Sequence, residues 1–408
     1  TRKESSAASD VYKRQVNRMS LPLATSTWDQ KEIEAINRVI QSDHYTMGKE
    51  VEKFEKDFAN YVDSKYCVMS NSGSSANLLA IAALIYSKRH DLSPGDEVIV
   101  PAVSWSTTYF PLHQYGLKMK FVDIDIDTLN LNLNILENAI TTSTKAILGV
   151  NLLGNPIDFE KLQKICDDHD LVLIEDNCES LGATLKNKQA GTFGVIGTYS
   201  TFFSHHISTM EGGLTVTDCE ELYHLMLSIR AHGWTRNLPK NNLITEKLDD
   251  EFTEKFRFII PGYNLRPLEM SGAIGQEQIK KLPKIIEGRR LNAKRFIELF
   301  EMIEGITIQK ETGESSWFGF SLILGENIER VNLIGELKAK GVEVRPIVTG
   351  NFVRNPVIKF MNYEIHGELT NANIIHDNGL FFGNHHFDIT EELEKIANIV
   401  KNHLEELT

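Results

Sequence analysis

The residues best suited to chemistry gather in the first two-thirds of the chain. The run Ser200-Thr-Phe-Phe-Ser204-His205-His206 carries two adjacent histidines and leads into Met210-Glu211-Gly212-Gly213. Imidazole exchanges protons near neutral pH, which suits one group that acts first as base and then as acid. In extended chain two neighbouring side chains point to opposite faces, so this pair makes a poor metal chelate. Asp176 ends the stretch Leu171-Val-Leu-Ile-Glu-Asp176. A carboxylate at that depth needs a cationic partner, such as a protonated ring nitrogen, or else it caps a helix. Glu179 follows, either as a second proton handler or as a solvated side chain. In Asn71-Ser-Gly73-Ser74-Ser-Ala-Asn77 small residues let backbone N–H groups approach a phosphate at a helix start, although the same residues make ordinary caps. The Gly-Lys-Ser/Thr of a Walker loop is missing. Trp105 reads either as a core residue or as a ring that stacks on a flat heteroaromatic ligand. Ser200, on the strand leading to His205, is expected to reach a phosphate bound at that helix start.

These residues need elements to hold them. Between residues 66 and 217 short apolar runs alternate with helical patterns. Strands are predicted over 66–70, 97–101, 118–123, 146–151, 171–176, 195–203 and 213–217. Helices are predicted over 74–88, 105–115 and 159–169. The alternation implies α/β architecture, a mostly parallel central sheet covered by helices on both faces, with ligands gathering beyond the carboxyl ends of the strands. Asn71, Trp105 and Asp176 fall at or just after strand ends, so one pocket can collect them. Residues 238–254 read as an exposed loop. A long helical pattern runs from 267 to about 300, and a smaller C-terminal α/β domain follows, with strands over 317–324 and 342–346 and a helix over 329–340. The expected division is a polar extension over 1–18, a large cofactor-binding domain over 19–265, and a linking helix with the small domain over 266–408.

Composition bounds the partners. The chain has 408 residues, is 41% hydrophobic and 24% charged, and carries a formal charge of −13, an ordinary globular balance that disfavours nucleic acid and anionic membrane. Its four cysteines, Cys67, Cys166, Cys178 and Cys219, form no Cys-x-x-Cys or Cys-x-Cys pair, so no metal site or iron–sulfur cluster is expected and reduced thiols in the cytoplasm are. No apolar run reaches the roughly 18 residues of a membrane helix. Residues 1–18 are polar and basic and lack a signal-peptide core, and Met19 reads as the natural start.

Taken in order, Gly73-Ser74, Trp105, Asp176, the run from Ser200 to Gly213 and Gly262-Tyr-Asn264 resemble the fold-type I (aspartate-aminotransferase-like) sugar aminotransferase/dehydratase family, which uses pyridoxal 5′-phosphate (PLP) or pyridoxamine 5′-phosphate (PMP). The resemblance runs from about Leu21 to the C-terminus. In that family a lysine that holds PLP covalently sits six residues before the Glu of a Glu-Gly-Gly turn; here that residue is His205. Imidazole cannot hold PLP in this way, so the substitution points from amino transfer to elimination.

Within the family, Ser204-His205-His206, Ser26-Thr-Trp28-Asp and Ala231-His-Gly-Trp-Thr-Arg236 are similar to the branch that removes the C3 hydroxyl of a GDP-linked 4-keto-6-deoxy sugar in dideoxysugar (colitose) biosynthesis for O-antigen. The resemblance implies PMP bound without a covalent link, regenerated by L-glutamate, with ammonia released. It implies that Gly73, Ser74, Ser200 and Asn264 serve the phosphate, that Trp105 stacks on the ring, and that Asp176, with Glu179 nearby, serves the ring nitrogen. His205 is implied as the proton carrier. It further implies a homodimer with shared active sites, since Asn264 reaches the neighbouring subunit's cofactor. Ser204, Arg236, Glu343 and Arg345 are candidate substrate contacts, because arginine forks suit diphosphate oxygens. A related branch with histidine in this slot carries an iron–sulfur cluster on closely spaced cysteines, which this chain lacks. Two rivals stay open: a sugar aminotransferase with an unusual residue, and a non-catalytic binding protein of the same fold.

Overall fold

A computed structural model describes residues 20–90 and 92–406. The extension expected over residues 1–18 and the start expected at Met19 lie outside the described residues.

Two helices that apolar alternation had not disclosed precede the sheet: α1 (Gln30–Ser42) and α2 (Lys49–Val62). Asp29 opens α1 through a capping box with Glu32, and Asp43, in the left-handed region, closes it. The elements that follow are β1 (Tyr66–Ser70), α3 (Gly73–Tyr86), β2 (Glu97–Pro101), α4 (Ser106–Gln114), β3 (Lys118–Val122), β4 (Thr144–Val150), α5 (Phe159–Asp168), β5 (Val172–Asp176), β6 (Ile196–Ser200), β7 (Gly213–Thr217) and α6 (Glu220–Ile229). Then come the 32-residue α7 (Glu269–Phe300), β8 (Ile306–Ile308), β9 (Gly319–Leu324), α8 (Arg330–Ala339), β10 (Val344–Arg345), β11 (Tyr363–Ile365), α9 (Thr370–Asn378), β12 (Gly379–Gly383) and α10 (Thr390–Glu405).

The large sheet has eight strands in the order β1-β7-β6-β5-β4-β2-β3-β11. All run parallel except β7, which lies antiparallel between β1 and β6. The expected mostly parallel sheet with helical cover is therefore what forms. Burial explains why it reads as apolar runs rather than alternation: β2 and β6 through β7 are buried at every residue. The edge strand β11 comes from the C-terminal half of the chain and pairs with β3.

A second sheet of four strands, β8-β9-β12-β10, has its own core of Phe296, Phe300, Trp317, Phe320 and Phe382 with α7 and α10. Each such fully buried side chain contributes about 1.5–3 kcal/mol. Helix α7 packs on α1 and α2 with one end and on α10 with the other, so it links the two cores.

Three sequence expectations need correction. The strand expected over 195–203 ends at Ser200, and the chain then turns, with the His205 N–H bonded to the Phe202 carbonyl (2.9 Å). His205 and His206 are thus not in extended chain. The strand expected from 317 starts at Gly319, because Trp317 takes a left-handed φ of 47°. The loop over 238–254 ends in a short helical turn, Glu251–Glu254.

Candidate active site

The parallel strands share one carboxyl edge, and the turns that leave it enclose a cavity of about 280 Å³. Ser72, Gly73 and Ser74 enter from the β1–α3 turn, Trp105 from the start of α4, Asp176 and Glu179 from the end of β5, and Ser200, Ser204 and His205 from the end of β6. Arg345 of the small sheet and Phe318, just before its strand β9, close the cavity. Nine of the residues expected from sequence therefore meet in one place: Gly73, Ser74, Trp105, Asp176, Glu179, Ser200, Ser204, His205 and Arg345.

At the floor, Asp176 is only 5% exposed. Its Oδ2 accepts from Asn77 Nδ2 (2.9 Å) and Thr108 Oγ1 (2.8 Å), and its Oδ1 accepts from the Cys178 N–H (3.1 Å). Among the described residues no cationic side chain pairs with it. A buried carboxylate supported only by neutral donors matches a ring nitrogen that arrives protonated.

The β1–α3 turn is shaped for close approach. The side chain of Ser72 caps α3 by accepting from the Ser75 N–H (3.1 Å), which leaves the first N–H groups of the helix facing the cavity. A Cβ on Gly73 would lie 2.6 Å from Ser200 Cβ, so glycine is required for Ser200 to stand against the helix start. Ser74 Oγ donates to Thr107 Oγ1 (3.1 Å). This cradle of small residues fits a phosphate. Trp105 is 54% exposed, so it is no core residue; its ring lines the opening.

His205 presents its imidazole to the cavity between Phe318 (ring centroids 5.1 Å apart) and Phe202 (6.0 Å). Its Nδ1 is buried without a partner. Burial, with the nearby charges of Arg345 and Arg289, pushes its pKa down to about 3. Against the near-neutral imidazole expected from sequence, burial and the two arginines favour the neutral form of the ring. His206 is turned away, fully buried, with Nε2 on the Ser316 carbonyl (3.1 Å). Glu179 accepts from the Leu153 N–H (3.2 Å); burial raises its pKa and Arg345 opposes the rise. The Arg345 guanidinium lies over Phe381 (4.5 Å) and Phe318 (5.9 Å).

The other three expected residues lie outside this cavity in the single chain. Asn264 accepts from Arg266 Nε (2.9 Å), Arg236 stacks on Trp234 (4.2 Å), and Glu343 accepts from the Leu23 N–H (3.1 Å). Sequence reasoning missed Asn77 and Thr108, whose types alone do not distinguish a carboxylate's donors from ordinary helix residues. It also missed Phe318 and Phe202, which lay within predicted strands and were not singled out.

A family profile, DegT/DnrJ/EryC1/StrS aminotransferase, matches residues 26–401. The chain belongs to this family. It is 60% identical to GDP-4-keto-6-deoxy-D-mannose 3-dehydratase of Yersinia pseudotuberculosis over 94% of this chain and 98% of that one. It is 56% identical to the enzyme of the same name from Escherichia coli O55:H7, over 94% of this chain and 100% of that one. Among solved structures, E. coli GDP-4-keto-6-deoxy-D-mannose-3-dehydratase with bound hydrated PLP superposes with a TM-score of 0.93 at 55% identity, covering 94% of this chain and 100% of that one. A second structure of that dehydratase holds a trapped PLP-glutamate geminal diamine and superposes at 0.92, with the same identity and coverage.

Proposed function

We propose that this chain removes the C3 hydroxyl of GDP-4-keto-6-deoxy-D-mannose, a PLP/PMP-dependent 3-dehydration in which L-glutamate regenerates PMP and ammonia is released, in the dideoxysugar (colitose) route to O-antigen. The observation that carries the reading is a neutral histidine, not a lysine, facing a cavity that has a buried carboxylate at one end and a small-residue helix start at the other.

The bound cofactor would supply an amine for the C4 ketone and a ring that takes up electrons. The residues of the chain do the rest. The helix-start N–H groups with Gly73, Ser74 and Ser200 hold the phosphate. Asp176 would keep the ring nitrogen protonated, Trp105 would stack on the ring, and Glu179 sits near Arg345. His205 takes a proton at the cofactor carbon C4′ and returns it to the departing C3 oxygen. A base of low proton affinity gives that proton up readily, so the second step is favoured and the first relies on positioning. Phe202 and Phe318 flank the ring and exclude water. Ser204 and Arg345 face the sugar and its anionic groups.

In the same reading the active form is a homodimer in the cytoplasm. Asn264 of a second copy serves the phosphate, and Arg236 and Glu343 contact the nucleotide sugar. The chain divides near residues 265 and 266 into a cofactor-bearing part and a smaller closing part. No helix of the described residues is long and apolar enough to cross a membrane.

The test is incubation with PLP, L-glutamate and GDP-4-keto-6-deoxy-D-mannose, with ammonia and sugar mass measured. Glutamate-dependent ammonia and loss of the C3 oxygen are expected. An amine-bearing sugar without ammonia would replace this reading with amino transfer. His205→Ala is expected to retain cofactor and lose dehydration by roughly 100-fold or more.

A further inference from the structure

Behind His205 stands a buried cation that the mechanism above does not use. Arg289, on α7, is 4% exposed, and among the described residues no carboxylate lies within ion-pair distance of it. Its Nη1 donates to the carbonyls of Trp317 (3.3 Å) and Phe318 (3.0 Å), and its Nε is buried without a partner. A guanidinium taken out of water without a carboxylate is costly, which asks for a reason.

The two carbonyls it holds belong to a segment that needs holding. Trp317 sits at a φ of 47°, a strained region for an aromatic residue. A Cβ on Gly154 would lie 2.4 Å from the Trp317 nitrogen, so the segment presses on the β4–α5 connection. The Ser316 and Phe318 N–H groups bond to the carbonyls of Gly154 (2.9 Å) and Leu153 (3.0 Å), and Asn384 Nδ2 donates to the Trp317 carbonyl (3.0 Å). The segment so fixed presents Phe318 to the cavity, with its ring on His205 and near His206 (5.8 Å). His205 itself lacks a hydrogen-bonded orienter on Nδ1. Its orientation must come from packing and from the charges around it.

We propose that Arg289 is a positioning residue for His205: it pins residues 316–318 so that Phe318 bears on the imidazole, and it keeps a positive charge behind that ring. The proposal rests on the dehydratase reading for its kinetic part only. The groups facing His205 are Arg289 from α7, Arg345 from β10, His206 beside it, and the carboxylates Asp176, Glu179 and Glu211 around the cavity. Burial and then the two arginines oppose protonation of the ring, so removing the Arg289 charge moves it toward the charged form.

The test uses the cofactor-free full chain with histidine labelled at Cε1, its His205 signal assigned by loss in His205→Asn. In the wild type this signal should remain that of a neutral ring between about pH 8 and 5. In Arg289→Met it should titrate at least about one unit higher than in the wild type, and Arg289→Lys should restore the wild-type behaviour. With cofactor and GDP-sugar, Arg289→Met should lower kcat about tenfold or more and leave KM and cofactor affinity within about twofold. Phe318→Leu, which keeps the charge and removes the wall, should lower kcat, and by admitting water it should also move the His205 titration upward. An unchanged titration and an unchanged kcat in folded Arg289→Met overturn the proposal. If that variant does not fold, Arg289→Lys and Phe318→Leu decide: a His205 titration or kcat in Arg289→Lys unlike the wild type's, or wild-type kcat in Phe318→Leu, overturns it. Absence of ammonia production by the wild type would refute the dehydratase reading and leave the titration result intact.

Discussion

Strand β5 ends in two adjacent buried carboxylates, Glu175 and Asp176, that face opposite sides of the sheet and are treated differently. On the covered side, both oxygens of Glu175 are taken by backbone amides, those of Gly191 and Gly194, each at 2.6 Å. Those bonds lock the turn that follows the hairpin Thr184–Leu185 and Lys188–Gln189, and nothing remains for a ligand. On the cavity side, Asp176 is braced by two side chains and one amide and still faces open space. Two carboxylates one residue apart thus have different work, one structural and one poised, and the difference lies in which elements the fold sets against each face.

The comparison can be broken most forcefully at Asp176. Asp176→Asn keeps the shape but cannot hold a ring nitrogen protonated, so dehydration should fall by roughly 100-fold or more, far beyond the loss of about 1–3 kcal/mol in stability expected where its amide nitrogen meets a donor. Equal activity of the purified variant in the ammonia assay would remove Asp176 from the poised class.

Glu175→Gln should do the reverse. The Gln amide nitrogen would face a backbone N–H, leaving a donor unsatisfied at a cost of about 1–3 kcal/mol, with the folded fraction still active. Urea unfolding at neutral pH measures the cost, and a variant as stable as the wild type would show that the amide lock is unimportant.

The smallest effect is a slope. Burial raises Glu175 to about 7 from 4.5, so the folded state gains stability as pH falls from about 7 toward 4.5. Burial and the arginines lower His205 to about 3, and burial together with Arg289 lowers His385 to about 4, both from 6.5, so their contribution is present above 6.5 and lost as pH falls below it. The two trends oppose each other in the wild type. In Glu175→Gln the melting temperature should therefore drop more steeply between pH 6.5 and 4.5 than in the wild type; parallel curves would contradict the assignment.

Much of the cavity's near side was legible in the sequence. Asp176, Ser200 and the turn from Ser72 to Ser74 each follow an apolar run, and a parallel sheet collects such positions at one edge. Trp105 was readable only as two alternatives, and its exposure at the cavity argues against the core reading. The far side was less legible. Arg345 was marked as a sugar contact but not as a neighbour of His205, and Phe318 and Arg289 fell within a predicted strand and a predicted helix without being singled out. They come from segments more than 80 residues further along the chain, and no local periodicity records which of them will meet β6. The helices before β1 were missed because their apolar residues, such as Ala35, Val39, Phe54 and Phe58, are sparse among charges and seat against α7 rather than forming continuous runs.

By itself the sequence determined the chemistry on offer: a histidine six residues before Glu211, a carboxylate at a strand end, small residues at a helix start, and a sheet whose strands are nearly all buried. These follow from residue type and short spacing, which act locally. Only the tertiary structure decided the state of that chemistry. Whether His205 rests neutral and which of two adjacent carboxylates waits for a ligand depend on burial and on charges brought from distant segments. Desolvation and Coulomb interactions act through space and not along the chain.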